Sequence, residues 1–180
     1  MRKDLYQGFH KKTTSQKKTI RDDNFTYRII IDVLKTELND SKTNILDYGC
    51  GAGTISLYLG NKGFDVFGVD ISSMAIDKCI ESARLMSLTN NVKFSKVPSH
   101  FTKKFDMIIC FEVIEHVKDD LTLIRLFHKL LKTNGKLILS TPSINAPLFR
   151  LGLAKSFDIR VGHLRRYELK VLQNIIQGSG

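Results

Sequence analysis

No stretch of the sequence approaches the 18 or more consecutive apolar residues of a membrane-spanning helix, and no apolar core follows the positive N-terminus as in a secretory leader. A soluble, cytoplasmic protein is therefore expected. Cysteine is scarce. Cys50, Cys79 and Cys110 are odd in number, lack C-x-x-C spacing and fall in or beside apolar segments, which argues against a disulfide framework and for a reducing compartment. Cys50, a small residue in a crowded turn, reads as structural rather than nucleophilic. Acidic residues are also in deficit, 18 against 28 Lys and Arg, for a net charge of +10. The imbalance lies at the two ends: residues 1–28 hold eight cations against three acids and residues 145–180 hold six against two, while the body between is nearly neutral. Basic flanks suit an anionic partner, whose local concentration they raise, and equally suit a solvated surface.

What is present is enough for one domain. A chain of 180 residues with 42% hydrophobic content can bury a real core. Residues 1–23, polar and without period, read as a basic, mobile arm with a short helix near Leu5 to Phe9, whose Tyr6 and Phe9 could close over a ligand. Residues 24–180 form the domain. Phe25, Ile29, Ile30, Val33, Leu34 and Leu38 fall at helical spacing from Asn24 to Leu38, behind Asp22, Asp23 or Asn24 as cap. Strands are expected at Thr43–Tyr48, Phe64–Asp70, Asn91–Val97, Phe105–Phe111 and Lys136–Ser140, the last entered through Asn134-Gly135. Helices are expected between them at Thr54–Leu59, from Ser72 or Ser73 to Met86 (with Ile80 and Leu85 inward) and at Asp119–Leu131 (with Leu121 inward). Alternation of this kind predicts an α/β fold with a doubly wound, mostly parallel sheet and right-handed crossovers, ligands sitting at the carboxyl ends of the strands.

The densest signal is Ile45-Leu46-Asp47-Tyr48-Gly49-Cys50-Gly51-Ala52-Gly53, an apolar strand ending in an acid and three alternate glycines before a helix. Glycine permits the positive φ of a tight turn, lets a ligand lie against bare backbone and lets the helix approach the strand. The helix start directs unsatisfied N–H groups at whatever fills the turn. Asp70, 19 residues after Gly51 at the end of the next strand, stands where a carboxylate accepts from ribose hydroxyls. The site therefore reads as one for a nucleoside cofactor. The spacing is G-x-G-x-G rather than the G-x-G-x-x-G of dinucleotide enzymes.

These residues resemble the first motif of class I S-adenosylmethionine-dependent methyltransferases. Phe111-Glu112-Val113-Ile114-Glu115-His116-Val117 and Leu131–Pro142 look like the branch containing the ubiquinone-pathway O-methyltransferases. The resemblance runs from about Asn44 to Tyr167. It implies a Rossmann-like methyltransferase fold with S-adenosyl-L-methionine as cofactor. Gly49, Gly51 and Gly53 would flank its methionine moiety, Asp47 would face its amino group, Asp70 would hold its ribose, and Ile71, Phe111 and Glu112 would line the remainder. Two departures stand out. The acid that meets the adenine amino group after the third strand is missing, with Ser95, Lys96 and Ser99 in its neighbourhood. The hairpin of two further strands expected past a helix like Tyr167–Gln177 is also absent, so the sheet is expected to lack its last two strands.

The expected activity is methyl transfer to an oxygen, less readily a nitrogen, of a small-molecule or polymeric acceptor. The alternatives are a catalytically silent binding or partner subunit and an RNA 2′-O-methyltransferase. If the segment after the fourth strand turns helical, Glu112, Glu115 and His116 project from one face, and His163 on the later segment could complete a set for Mg²⁺, Mn²⁺ or Zn²⁺. A similar block with a later histidine binds a metal in small-RNA 3′-terminal 2′-O-methyltransferases. The simpler reading keeps the acids for the helix dipole and His116 alone as general base. Residues 143–166 form the acceptor-side cap, where Leu148, Phe149, Leu151, Leu153 and Phe157 interleave with basic residues. Such a stretch could pack its apolar side on the sheet, meet an anionic membrane, or receive an anionic or amphiphilic acceptor. Nucleic acid stands as another partner, and the oligomeric state is not legible.

Overall fold

The computed structural model describes residues 14–40, 42–98 and 100–178. The expected helix near Leu5 to Phe9, with Tyr6 and Phe9, lies outside them, as does Ser99. The elements in order are α1 (Arg28–Glu37), β1 (Asn44–Tyr48), α2 (Thr54–Asn61), β2 (Asp65–Asp70), α3 (Ser73–Leu85), β3 (Val92–Lys96), β4 (Phe105–Phe111), a 3₁₀ turn (Ile114–His116), α4 (Asp120–Leu130), β5 (Leu131–Ser140), α5 (Pro147–Arg150), α6 (Lys155–Val161) and α7 (Leu169–Gln177).

Among the described residues the five strands form one parallel sheet in the order β3-β2-β1-β4-β5. β1, β2 and β4 are each followed by a helix that returns the chain to the same end of the sheet, while β3 passes to β4 through residues 97–104 with no helix among the described residues there, and all the strand carboxyl ends meet on one edge. Strand alternation divides the core in two. Ile45, Val66, Met107 and Ile109 pack against α1 and α2 through Ile31, Leu34, Leu57 and Leu59. Leu46, Val69, Ile108 and Cys110 face the other way, against Leu123, Ile124 and Phe127 of α4 and Leu172 of α7. β4 is covered on both faces, which is why Phe105-Asp106-Met107-Ile108-Ile109-Cys110-Phe111 is almost continuously apolar. Ser72 caps α3 by accepting from Ala75 N (3.3 Å), and Asp119 caps α4 by accepting from Thr122 N (2.9 Å).

Several local expectations are corrected. α1 starts at Arg28 rather than Asn24, because the Asn24 side chain accepts from Thr26 N and Tyr27 N and closes a turn first. The buried face of α1 is then Ile31 and Leu34, and Phe25, Ile29 and Val33 are exposed. Ile80, Leu85 and Leu121 are likewise exposed rather than inward. β5 begins at Leu131, with a register break: Leu131 pairs with Phe105 and Lys136 with Met107, the intervening residues bulging through Asn134 at φ 63°. Residues 14–23 do not hang free. Gln16 donates through its side chain to Ala52 O (2.8 Å) and Thr54 Oγ1 (3.2 Å) and through its backbone to Ser82 Oγ (2.8 Å), while Ser15 bonds Glu81.

The cap departs most from its expected packing. α5 and α6 bury no residue of their own, and Leu148, Leu151, Leu153, Phe157 and Ile159 are exposed rather than laid on the sheet. The segment is held at its ends instead, by a bridge between Ser143 and Tyr167 and by Tyr167, whose hydroxyl donates to Asp120 (2.8 Å).

Candidate active site

The turn after β1 is fixed to its neighbours by backbone. Gly49 N and Cys50 N both donate to Val69 O, at 2.8 and 3.0 Å. Gly49 adopts φ +80°, and a Cβ there would lie 2.3 Å from Val113 Cγ2, so its bare backbone is what lets the segment after β4 close over the turn. Asp70 is held at both oxygens, accepting from Gly51 N (3.0 Å) and Ser72 N (2.8 Å). Asp47 is buried beneath the turn and accepts from Ser56 Oγ (2.5 Å). Burial dominates over that bond and raises its carboxyl to about 6.

Two cavities open beside this turn. One of about 210 Å³ is lined by Gly49, Gly51, Asp70, Ile71, Glu112 and His116 among others. A second of about 260 Å³, on the α1 side, is lined by Asp47, Gly49, Gly51, Phe111 and Glu112 with Tyr27 of the turn before α1. The geometry thus gathers seven of the eight expected cofactor residues. Gly53 lines neither cavity; it is the N-cap of α2 at φ +74°, and a Cβ there would meet Cys79 Sγ at 2.8 Å, so it serves helix packing.

The expected helical row Glu112, Glu115, His116 does not form. Glu112 takes φ +54°, the left-handed region, and only a 3₁₀ turn follows. Its carboxylate is carried to Ser140 Oγ (2.7 Å), away from the other two. Glu115, His116 and His163 do meet: one donor atom from each lies within 4.8 Å of the others. Glu115 Oε2 accepts from Thr141 Oγ1 (3.0 Å), whereas Oε1 is buried with no hydrogen bond among the described residues and faces His163 Nε2 at 3.8 Å and His116 Nε2 at 4.0 Å. Burial pushes Glu115 up to about 7 and lowers His116. The Nδ1 of His116 sits 3.1 Å from Gly162 O, and that of His163 sits 2.8 Å from Asp158 Oδ1. Each Nδ1 meets an acceptor, so each donates.

Sequence reasoning missed Gln16, Asp158, Gly162 and the pairing of the cap arginines. Arg165 binds Asp120 (2.6 Å) and Lys118 O (2.8 Å). Arg166 binds Asp158 through Nε (2.8 Å) and NH2 (2.7 Å) and lies over the Phe149 ring at 4.8 Å. No sequence spacing signals these contacts, because Arg165 and Arg166 lie in an irregular segment whose path decides which helical acid each meets.

A glycine turn and two strand-end carboxylates at the carboxyl edge of a parallel, doubly wound sheet define the Rossmann-like methyltransferase class. Residues 22–180 match the family model described as a methyltransferase domain, and the chain belongs to this family. It is 37% identical over 118 residues to a ubiquinone biosynthesis O-methyltransferase of Rickettsia akari, covering 63% of this chain and 45% of that protein. The same enzyme of Rickettsia typhi is 34% identical over 130 residues, 69% of this chain and 51% of that one. The chain thus spans about half the length of these curated relatives. Among solved structures, the magnesium protoporphyrin IX methyltransferase of Synechocystis with bound SAH aligns with TM-score 0.69 at 22% identity, over 86% of this chain and 71% of that one. The YcgJ protein of Bacillus subtilis aligns at 0.73 and 21%, over 85% and 68%. These two establish likeness of fold.

Proposed function

We propose that the chain is an S-adenosylmethionine-dependent methyltransferase acting on a hydroxyl oxygen of a small acceptor. The observation that carries the reading is that the cavity bounded by Gly49, Gly51, Asp70 and Ile71 ends at His116, itself part of the Glu115–His116–His163 cluster. Asp70, held by two backbone N–H groups, is preset to receive ribose hydroxyls. The buried Asp47 offers a carboxylate to the cofactor's ammonium. The curated relatives, ubiquinone biosynthesis O-methyltransferases by name, favour oxygen over nitrogen.

Oxygen methylation requires the hydroxyl to lose its proton as the S–CH₃ bond breaks in line. With the cluster free of metal, His116, whose proton affinity is lowered by burial, takes that proton on Nε2; with a cation bound, that nitrogen would be a ligand instead. The cluster also fits a divalent cation such as Mg²⁺, Mn²⁺ or Zn²⁺. Its orphaned buried Oε1, together with two imidazoles that each commit Nδ1 to an oxygen, is a carboxylate-and-histidine donor set. Glu115, His116 and His163 would hold the ion, and Glu112, turned to Ser140, would not. When bound, such an ion polarises an acceptor hydroxyl and lowers its pKa, which suits an acceptor with neighbouring oxygens.

The cap supports peripheral contact with an anionic lipid surface. Leu148, Leu151, Leu153 and Ile159 are exposed beside the exposed Arg150, Lys155 and Arg160. A nucleic-acid reading is weaker, since Arg165 and Arg166 are already paired within the chain.

Calorimetry with SAH and NAD, followed by mass-detected transfer from S-adenosylmethionine to a catechol probe, tests the assignment. SAH binding that falls with Asp70→Ala, and a methylated catechol, are expected. Binding of NAD but not SAH overturns it. Salt-sensitive sedimentation with phosphatidylglycerol vesicles, lost in a Leu151→Ser/Ile159→Ser variant, is expected for the cap; no association refutes the lipid contact.

A further inference from the structure

We infer that Asp158 is a positioning residue: its carboxylate fixes the ring and tautomer of His163 so that the Nε2 lone pair is turned on Glu115. The consequence for cation binding rests on the reading of the cluster given above, while the tautomer does not.

Asp158 lies in α6, five residues before His163, and a left-handed Gly162 (φ +79°) folds the chain back between them. His163 N also bonds Asp158 O (2.9 Å), so the histidine is tethered to α6 through backbone as well as side chain. The carboxylate is itself immobilised. Arg166 grips both oxygens with a bidentate fork and lies over Phe149, leaving Oδ1 shared between Arg166 NH2 and His163 Nδ1. A carboxylate engaged in this way only accepts, so His163 carries its proton on Nδ1, and Nε2, 3.8 Å from Glu115 Oε1, carries the lone pair.

The same turn orients the second imidazole. The carbonyl of Gly162 receives Nδ1–H of His116, and Leu164 N donates to Glu115 O (2.9 Å). One short piece of the cap thus aligns all three members of the cluster. Asp158 is the hydrogen-bonding control in this piece that a side-chain exchange can remove without altering backbone.

Long-range ¹H–¹⁵N spectra of the histidine side chains at pH 8 read the tautomer directly. The wild type is expected to show His163 protonated on Nδ1. Asp158→Asn, whose amide can donate to Nδ1, is expected to move the proton to Nε2. Arg166→Gln is expected to keep the wild-type tautomer although the ion pair is gone, which a merely structural role for Asp158 would not allow. A wild-type His163 protonated on Nε2, or an unchanged tautomer in Asp158→Asn, overturns the inference. Titration with Mn²⁺ gives the second readout: a 10- to 100-fold weaker dissociation constant is expected in Asp158→Asn, with partial rescue in Asp158→Glu. Absence of Mn²⁺ binding by the wild type would refute the cation reading alone, with the tautomer still deciding the role of Asp158.

Discussion

Replacing Asp47 by Asn should make the protein more stable and a poorer binder of its cofactor, and the pH at which the first effect appears follows from the structure. Asp47 is buried and its one side-chain bond, from Ser56, does not offset the loss of water, so its carboxyl titrates at about 6 rather than 3.8. The folded chain therefore holds a proton that the unfolded chain has released between about pH 4 and 6. Stability falls as pH rises through that window and levels off above it. The displacement corresponds to about 3 kcal/mol at neutral pH. Asn keeps an oxygen for Ser56 and carries no charge to desolvate, so at pH 8 the variant should melt higher by up to roughly 6–12 °C for a chain of this size. At pH 4 the two proteins should melt together. Glu115, raised to about 7, titrates in an overlapping range, but it is present in both proteins and cancels in the difference. Calorimetry at pH 8 should show SAH affinity weakened roughly 10- to 100-fold, the worth of a charged hydrogen bond to the ammonium. A difference in melting temperature that does not change from pH 4 to 8 would refute the burial argument. Unchanged SAH affinity would refute the placement of the ammonium.

Gly49→Ala should be far more damaging than Gly63→Ala: both have positive φ, but a Cβ at Gly63 meets open space, costing about 1–2 kcal/mol, whereas at Gly49 it also strikes Val113. Denaturant unfolding of the pair checks the order. Gln16→Ala should release the strap from Ala52 and Thr54, seen as faster amide exchange in the glycine turn and several-fold weaker SAH binding. Tyr167→Phe should lose about 1 kcal/mol of stability through the hydroxyl bond to Asp120 and leave SAH affinity unchanged, since Tyr167 lies outside both cavity walls.

The sheet was legible because parallel strands covered on both faces leave long apolar runs and their turns need glycine; β1, β2 and β4 fall within a residue of where pattern placed them. That seven of the residues expected at the cofactor would come together was legible for the same reason, since they lie at or just after strand ends that topology alone brings to one edge. Periodicity failed where several faces were apolar at once. In α1 it rightly picked out Leu34 but added Phe25, Ile29 and Val33 and passed over Ile31, which the turn closed by Asn24 sets inward. Glu112 was misread because helical spacing was assumed through a residue that lies in the left-handed region, a choice no side-chain pattern announces. Asp158 and Arg166 were out of reach, since their partnership depends on how an irregular segment folds back.

The cavity beside the glycine turn and the polar cluster draw on different lengths of the chain. The cavity bearing Asp70 and Ile71 draws its lining from Tyr48 to Val117, whereas the polar cluster is incomplete until His163 arrives, held by the closure of Ser143 on Tyr167. The two are therefore separable: with residues 143–166 displaced, the cavity beside the glycine turn would keep its whole lining, while the cluster of Glu115 and His116 would lose His163.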